Sequence, residues 1–192
     1  MRPDALKPQA ENFGVAGAAV WIGLAAAFSA LFSFSFACAA PFAGFAAFAA
    51  LIAPRRFAMI LVGAAWLANQ FVGFLLLGYP ATAGSFAWGA ALGLAALTAA
   101  LAASIVIRQT GVRPVATGLA FLAAFASFEI VLFAASAVLA SGPDAFAPAV
   151  VARIFAINAA SFAALLAARQ LGRGIGRYAP PFLASRGRQP AG

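Results

Sequence analysis

Long stretches without a charged residue limit what this chain can fold into. The first of them, Phe13–Ala53, runs for 41 residues. A helix needs roughly 20 apolar residues to cross a hydrocarbon layer of about 30 Å, so this stretch is long enough for two crossings. Only 8% of the 192 residues are charged and 65% are hydrophobic, whereas soluble domains carry roughly 25% charged residues. The sequence therefore predicts an all-α integral membrane protein rather than a soluble or disordered chain.

Four further apolar stretches each predict one more crossing. Turn residues separate some of them, at Gly78-Tyr79-Pro80 and Ser141-Gly142-Pro143-Asp144. The turn inside the first stretch is expected between Ser33 and Pro41. The four later crossings are expected at Phe57–Leu77, Ala83–Ile107, Pro114–Ala140 and Phe146–Ala168. We predict six transmembrane helices within residues 13–168, a cytoplasmic segment at 1–12 and a basic cytoplasmic tail at 169–192.

The distribution of basic residues predicts the orientation of these helices and argues against nucleic acid as a partner. With both ends in the cytoplasm, every Lys and Arg except Arg153 lies on the cytoplasmic side, and the opposite turns carry only Asp144. Such an asymmetry is typical of multi-pass membrane proteins. The net charge of +8 is thus explained by loops and a tail that touch anionic lipid headgroups. No basic face for nucleic acid is expected.

The N-terminal region has a second interpretation as a signal peptide. Arg2 and Lys7 precede an apolar run, and Ala37-Cys38-Ala39 resembles a cleavage site. The apolar run is, however, far longer than the roughly 7–15 residues of a signal-peptide core. We therefore expect this region to remain as membrane helices.

The composition argues against an enzyme and against a bound metal. The chain contains no histidine and one cysteine, so the commonest general base and the commonest metal ligand are missing. No Ser-His-Asp set, Cys-His set or pair of catalytic carboxylates is found. The Gly-rich segment at 172–176 follows a membrane helix instead of a strand, so we interpret it as a linker and not as a phosphate loop. We expect no catalytic activity and no cofactor.

Polar residues at membrane depth are the candidate ligand-binding groups. Glu129 and Arg153 are the two ionisable residues inside predicted spans, where such residues are costly and commonly functional. They either pair with each other to hold two helices together or line a polar cavity. The full candidate set, which lies in the half of the membrane away from the cytoplasm or near its middle, is Asn69, Gln70, Trp88, Glu129, Arg153 and Asn158. This depth predicts an outward-facing pocket with an apolar floor, whereas a channel or exporter needs polar groups in both halves.

Small residues at four-residue spacing predict two helix-packing surfaces, since they let backbones approach closely in lipid. Gly89 and Gly93 are expected to pack inside the bundle. Ala19, Gly23 and Ala27 either pack inside the bundle or form a strip that contacts another membrane subunit. Trp66, Gln70 and Phe74 share one face of a helix and are suited to the wall of an organic-ligand pocket.

These features together resemble the substrate-binding S components of energy-coupling-factor vitamin transporters. The segment Trp66–Phe74 (Trp-Leu-Ala-Asn-Gln-Phe-Val-Gly-Phe), followed by Gly78-Tyr79-Pro80 and Trp88-Gly89, is similar to the proteobacterial cobalamin-type branch. The resemblance implies vitamin capture from outside the bacterial inner membrane. It also implies contact between the first-helix strip and a transmembrane coupling subunit that works with ATPases. Cobalamin is then a candidate transported substrate, and Cys38 is the residue left to ligate its cobalt because histidine is missing.

A structural or assembly subunit of a larger membrane complex is the chief alternative. In that case the Glu129 and Arg153 side chains and the glycine faces are contacts between proteins, and the chain has no ligand of its own. Closed apolar packing around Gln70 and Glu129 would favour this alternative.

Overall fold

The computed structural model describes residues 41–139 and 143–177, and all regular structure within these ranges is helical. The elements in chain order are α1 (Phe42–Ile52), α2 (Arg55–Phe71), the π-helical turn (Val72–Leu76), α3 (Ala83–Thr110), α4 (Pro114–Val138), the 3-10 turn (Pro143–Phe146) and α5 (Pro148–Arg177).

Four of these helices are long and apolar enough to cross a membrane, which identifies a multi-pass membrane protein. The spanning segments have 22, 28, 25 and 24 residues and are Arg55–Leu76, Ala83–Thr110, Pro114–Val138 and Pro148–Leu171. They correspond to the third to sixth predicted crossings. The predicted first crossing lies outside the described residues. The second is represented by α1, whose 11 residues extend for about 16 Å at 1.5 Å per residue, about half of a hydrocarbon layer.

The helix ends follow local signals in the sequence. Thr82 is the N-cap of α3, where its Oγ1 accepts a hydrogen bond from the backbone nitrogen of Ser85 at 3.2 Å. Gly111 ends α3 with a φ of 72°, a conformation that glycine adopts without strain. Pro114 occupies the first turn of α4, where its missing N–H has no cost.

α5 is longer than the sequence predicts. Its backbone stays helical to Arg177, nine residues beyond the predicted end at Ala168. The first part of the segment assigned to the tail, including the glycines at 172–176, is thus a continuation of the last membrane helix.

The bundle is organised around α1, which contacts each of the other four helices. α3 packs against both α2 and α4, whereas α4 and α5 approach each other over only a short stretch. Every residue of α1 except Ile52 is buried. The Phe and Ala side chains of α1 therefore form the centre of the hydrophobic core.

The two ends of the bundle differ in charge. Exposed arginines occupy the start of α2, the end of α3 and the start of α4, and we call this the basic end: Arg55, Arg56, Arg108 and Arg113. The opposite, far end carries the turn after the π-helical segment and the start of α5. The chain alternates between the two ends because α2, α3, α4 and α5 follow one another in antiparallel order.

Among the described residues, the buried core occupies the half of the bundle nearer the basic end. In α4 the last buried residue is Phe128, and in α5 the first buried side chain is Asn158. In α3 the buried residues facing the core lie between Ala95 and Ser104. This distribution follows the short length of α1, since the long helices extend well beyond its N-terminus. Nearer the far end, the buried residues of the described helices are Val72, Gly73, Gly89 and Gly93.

Candidate functional site

The interface between α2 and α3 is built on the Gly-x-x-x-Gly pair of α3. The indole Nε1 of Trp66 donates a hydrogen bond to the carbonyl oxygen of Gly89 at 2.8 Å. A Cβ atom added to Gly93 would lie 2.6 Å from Cε2 of Trp66, and one added to Gly89 would collide with Oε1 of Gln70. The prediction that Gly89 and Gly93 pack inside the bundle is confirmed, because only a hydrogen atom fits beneath the Trp66 and Gln70 side chains.

The amides of Asn69 and Gln70 form a polar pair on α2. Nε2 of Gln70 donates to Oδ1 of Asn69 at 3.3 Å, and both side chains are half-buried. Oε1 of Gln70 rests against the backbone of Gly89. The pair therefore lies beside α3 on the side of the core nearer the far end.

An aromatic cluster continues the same face of α2 towards the far end. Phe74 stacks on Phe86 of α3 with ring centroids 4.7 Å apart, and Tyr79 meets Phe74 edge-on at 6.3 Å. Phe86 is 55% exposed and Tyr79 is 37% exposed. The face predicted for Trp66, Gln70 and Phe74 is thus present, and it lies against the far-end half of α3.

The π-helical turn brings Tyr79 back over α2. The backbone nitrogen of Leu77 donates to the carbonyl of Val72 at 3.0 Å, and that of Tyr79 donates to the carbonyl of Gly73 at 3.0 Å. Gly78 makes this reversal with a φ of 67°. A Cβ atom on Gly73 would lie 2.7 Å from Cδ2 of Tyr79, so the ring lies directly on the glycine backbone. Such π-helical turns are frequent at functional sites.

Asn158 contacts the first turn of α1. Its Oδ1 accepts a hydrogen bond from the backbone nitrogen of Gly44 at 2.9 Å, and its Nδ2 donates to the carbonyl of Ile154 at 3.0 Å. The side chain is 1% exposed. Both functional atoms of this amide are therefore used within the protein, at the N-terminus of the helix that fills the core.

Glu129 and Arg153 do not form an ion pair. Arg153 is exposed, and five residues separate it from the buried Asn158, which places it about 140° around α5 at 3.6 residues per turn. Oε1 of Glu129 is buried without a hydrogen-bond partner. The structure therefore gives no support to the alternative in which the two charges hold α4 and α5 together, because the arginine is exposed on the side of α5 away from its buried face.

The candidate residues do not all contact one another. Asn69 and Gln70 are bonded together, and Trp88 is half-buried on α3 next to Gly89. Asn158 is bonded to α1, and Arg153 is exposed. Glu129 directly follows Phe128, the last buried residue of α4. The described structure thus places the amide pair and Trp88 on α2 and α3, and the carboxylate on α4.

Two important contacts were missed by the sequence analysis. Trp66 was recognised only as part of an aromatic face, and Gly44 was not singled out. The signal for Gly44 was weak. It lies in a segment with Phe at every third position and small residues between them, and a single glycine there gives no periodic pattern of its own. The predicted strip of Ala19, Gly23 and Ala27 and the possible cobalt ligand Cys38 lie outside the described residues.

The described residues contain no group of three or more His, Cys, Asp or Glu side chains that could hold a metal ion. Comparison of the whole chain with protein families, curated proteins and solved structures finds no match.

Proposed function

We propose that this chain is the membrane-embedded, substrate-binding component of an uptake transporter for a vitamin or a similar small solute. The basic end faces the cytoplasm, as the inside-positive rule requires, and the far end faces the side from which the solute arrives. The membrane is the bacterial inner membrane in this proposal.

The observation that carries the proposal is the restriction of the buried core to the half nearer the basic end. α1 fills that half, and the long helices continue past its N-terminus with few buried residues. The amide pair Asn69–Gln70 and the aromatic cluster of Phe74, Tyr79 and Phe86 lie in the far half. Apolar and aromatic walls with a few polar groups are typical of sites for organic ligands.

Each candidate residue has a distinct role in this proposal. Asn69 and Gln70 orient the solute by hydrogen bonds, and Trp88 supplies an aromatic wall. Glu129 supplies a charged or hydrogen-bonding group at the level where the core begins. Asn158 contributes indirectly, because it fixes the N-terminus of α1, which forms the floor. Arg153 is the one candidate that lies on the outer surface, where its long side chain reaches lipid headgroups.

The energy for solute uptake is proposed to be supplied as in the energy-coupling-factor transporters. In that arrangement Ala19, Gly23 and Ala27 contact a transmembrane coupling subunit that works with ATPases. Cobalamin is one candidate solute, with Cys38 as the residue for its cobalt.

Purification followed by mass spectrometry tests the proposal. The full chain, extracted from membranes in mild detergent, is expected to retain a small molecule at a fixed molar ratio. A variant with Asn69→Ala and Gln70→Ala is expected to lose it. The matched control is Gly63→Ala, since a Cβ there meets no atom within 4 Å. A folded parent protein that retains no solute from cells grown with a full vitamin supplement would contradict the proposal.

An assembly subunit without a ligand is the second candidate, and the bonding of Asn158 favours it. Both polar atoms of this amide are used within the protein, by Gly44 and Ile154, so none is left for a ligand. If this function is correct, the purified chain carries a membrane-protein partner at fixed stoichiometry and no small molecule.

A further inference from the structure

Glu129 is one of two described residues with a buried side-chain oxygen that has no hydrogen-bond partner, the other being the hydroxyl of Ser104. In Glu129 this atom is Oε1. In contrast, the hydroxyls of Thr98, Ser136 and Ser161 each donate to a carbonyl of their own helix. An unsatisfied carboxylate oxygen within the hydrocarbon layer is costly. A partner brought by a ligand would remove that cost.

The described helices offer no cation to Glu129. Arg153 lies on the outer side of α5, as its exposure and its angle from Asn158 show. The arginines of the basic end are distant, since Glu129 is 15 residues beyond Pro114 along α4, or about 22 Å at 1.5 Å per residue.

An aromatic contact between α4 and α5 lies one helical turn before Glu129. Phe125 precedes Glu129 by one turn on the same face of α4. The Phe125 ring meets Phe155 of α5 edge-on, with centroids 5.0 Å apart. Phe155 also meets Phe121 of α4, with centroids 5.5 Å apart, and remains 37% exposed. Glu129 thus follows, one turn along α4, the aromatic contact that joins α4 to α5.

We propose that Glu129, Phe125 and Phe155 form a binding site for a hydrophobic organic cation, such as a protonated amine on an aromatic body. The ammonium group donates to Oε1, and the two rings contact the apolar body and stabilise the positive charge through their faces. This inference rests on the proposed function and names the chemical class of its solute. It favours a vitamin that carries a protonated amine.

Binding of two matched probes tests the inference on the purified full chain. The probes are 4-phenylbutylamine, which is protonated at neutral pH, and 4-phenylbutan-1-ol, its neutral analogue of similar size. We expect saturable binding of the amine by calorimetry and binding of the alcohol at least about tenfold weaker. Glu129→Gln keeps the shape of the side chain but removes its charge, and it should abolish the preference for the amine. Arg153→Gln should leave the preference unchanged.

Four outcomes overturn the inference. The first is equal binding of the amine and the alcohol by the parent protein. The second is an amine preference that survives in a folded Glu129→Gln variant. The third applies if that variant does not fold. Phe125→Leu and Phe155→Leu should then each weaken amine binding, and unchanged affinity in either variant overturns the inference. A retained neutral solute that depends on Asn69 and Gln70 but not on Glu129 would remove this inference and leave the proposed function standing.

Discussion

Oδ1 of Asn158 on α5 lies 2.9 Å from the backbone nitrogen of Gly44 in the first turn of α1. The first N–H groups of any helix have no partner within the helix, and water is missing from the hydrocarbon layer to replace one. A side chain of a neighbouring helix therefore caps α1. Gly44 permits the close approach, since a Cβ atom there would lie 2.5 Å from the backbone oxygen of Asn158.

Replacement of Asn158 by leucine should destabilise the protein. Asn158→Leu leaves the N–H of Gly44 buried and unsatisfied, at a cost of about 1–3 kcal/mol. The measurement is the midpoint of thermal unfolding in detergent, followed by circular dichroism. Ser136→Ala is the control, because it removes an exposed hydroxyl bond within one helix and should leave the midpoint unchanged. Equal midpoints for Asn158→Leu and the parent would show that the cap is unimportant.

Two glycine substitutions should differ in their effect on stability. Gly93→Ala should lower the midpoint of thermal unfolding, and Gly118→Ala should leave it unchanged or raise it. Gly93→Ala places a Cβ atom against the Trp66 ring, so the ring must move and the Trp66–Gly89 bond is lost. Gly118→Ala on α4 meets no atom within 4 Å and should be neutral or stabilising by up to about 1 kcal/mol, since alanine is the better helix former. The measurement is the midpoint of thermal unfolding of each variant. Trp66 fluorescence, recorded with Trp21 and Trp88 replaced by Phe, should change with Gly93→Ala alone.

Cysteine labelling should place the two ends of the bundle on opposite sides of the membrane. In a Cys38→Ala background, Thr110→Cys at the basic end should react with an impermeant maleimide only after the cytoplasmic side is opened. Thr82→Cys at the far end should react in intact cells. Reversal of this pattern would contradict the proposed orientation. Labelling of both sites from the same side would show that α3 does not cross the membrane.

The first-helix strip should matter for assembly rather than for folding. Gly23→Leu adds bulk where a coupling subunit is proposed to pack. It should reduce solute uptake and co-purification of the partner while the isolated chain remains folded. Ala25→Leu, two residues away and on the opposite side of a helix, is the matched control. Unfolding caused by Gly23→Leu would assign the strip to packing within the bundle.

The four spanning helices of the described residues could be predicted closely because length, charge and turn residues determine them locally. Ala83 and Pro114 begin α3 and α4 as expected, since a cap before one helix and a proline in the first turn of the other are encoded in a few residues. The end of α5 could not be predicted in this way. The glycines at 172–176 have a weak helical preference, and the backbone is nevertheless helical there.

The candidate site was predicted less completely because depth was considered without rotation about the helix axis. Glu129 and Arg153 lie in the same half of the bundle, but the buried face of α5 is defined by Asn158, Ser161 and Phe162. At 100° per residue, Arg153 points away from that face. The role of Asn158 depends on a tertiary contact with Gly44, 114 positions away, which no local pattern reveals.

The burial of α1 has a consequence for how sequence variation is distributed along the chain. A lipid-facing helix tolerates changes on its outer side, so its tolerance rises and falls every three to four residues. Ten consecutive residues of α1, from Phe42 to Leu51, are buried, so α1 has no such permissive side. A saturation-mutagenesis profile of this protein would therefore be periodic along α4 and α5 and uniformly restrictive along α1, and natural variants in α1 would arise together with compensating changes in the four helices that surround it.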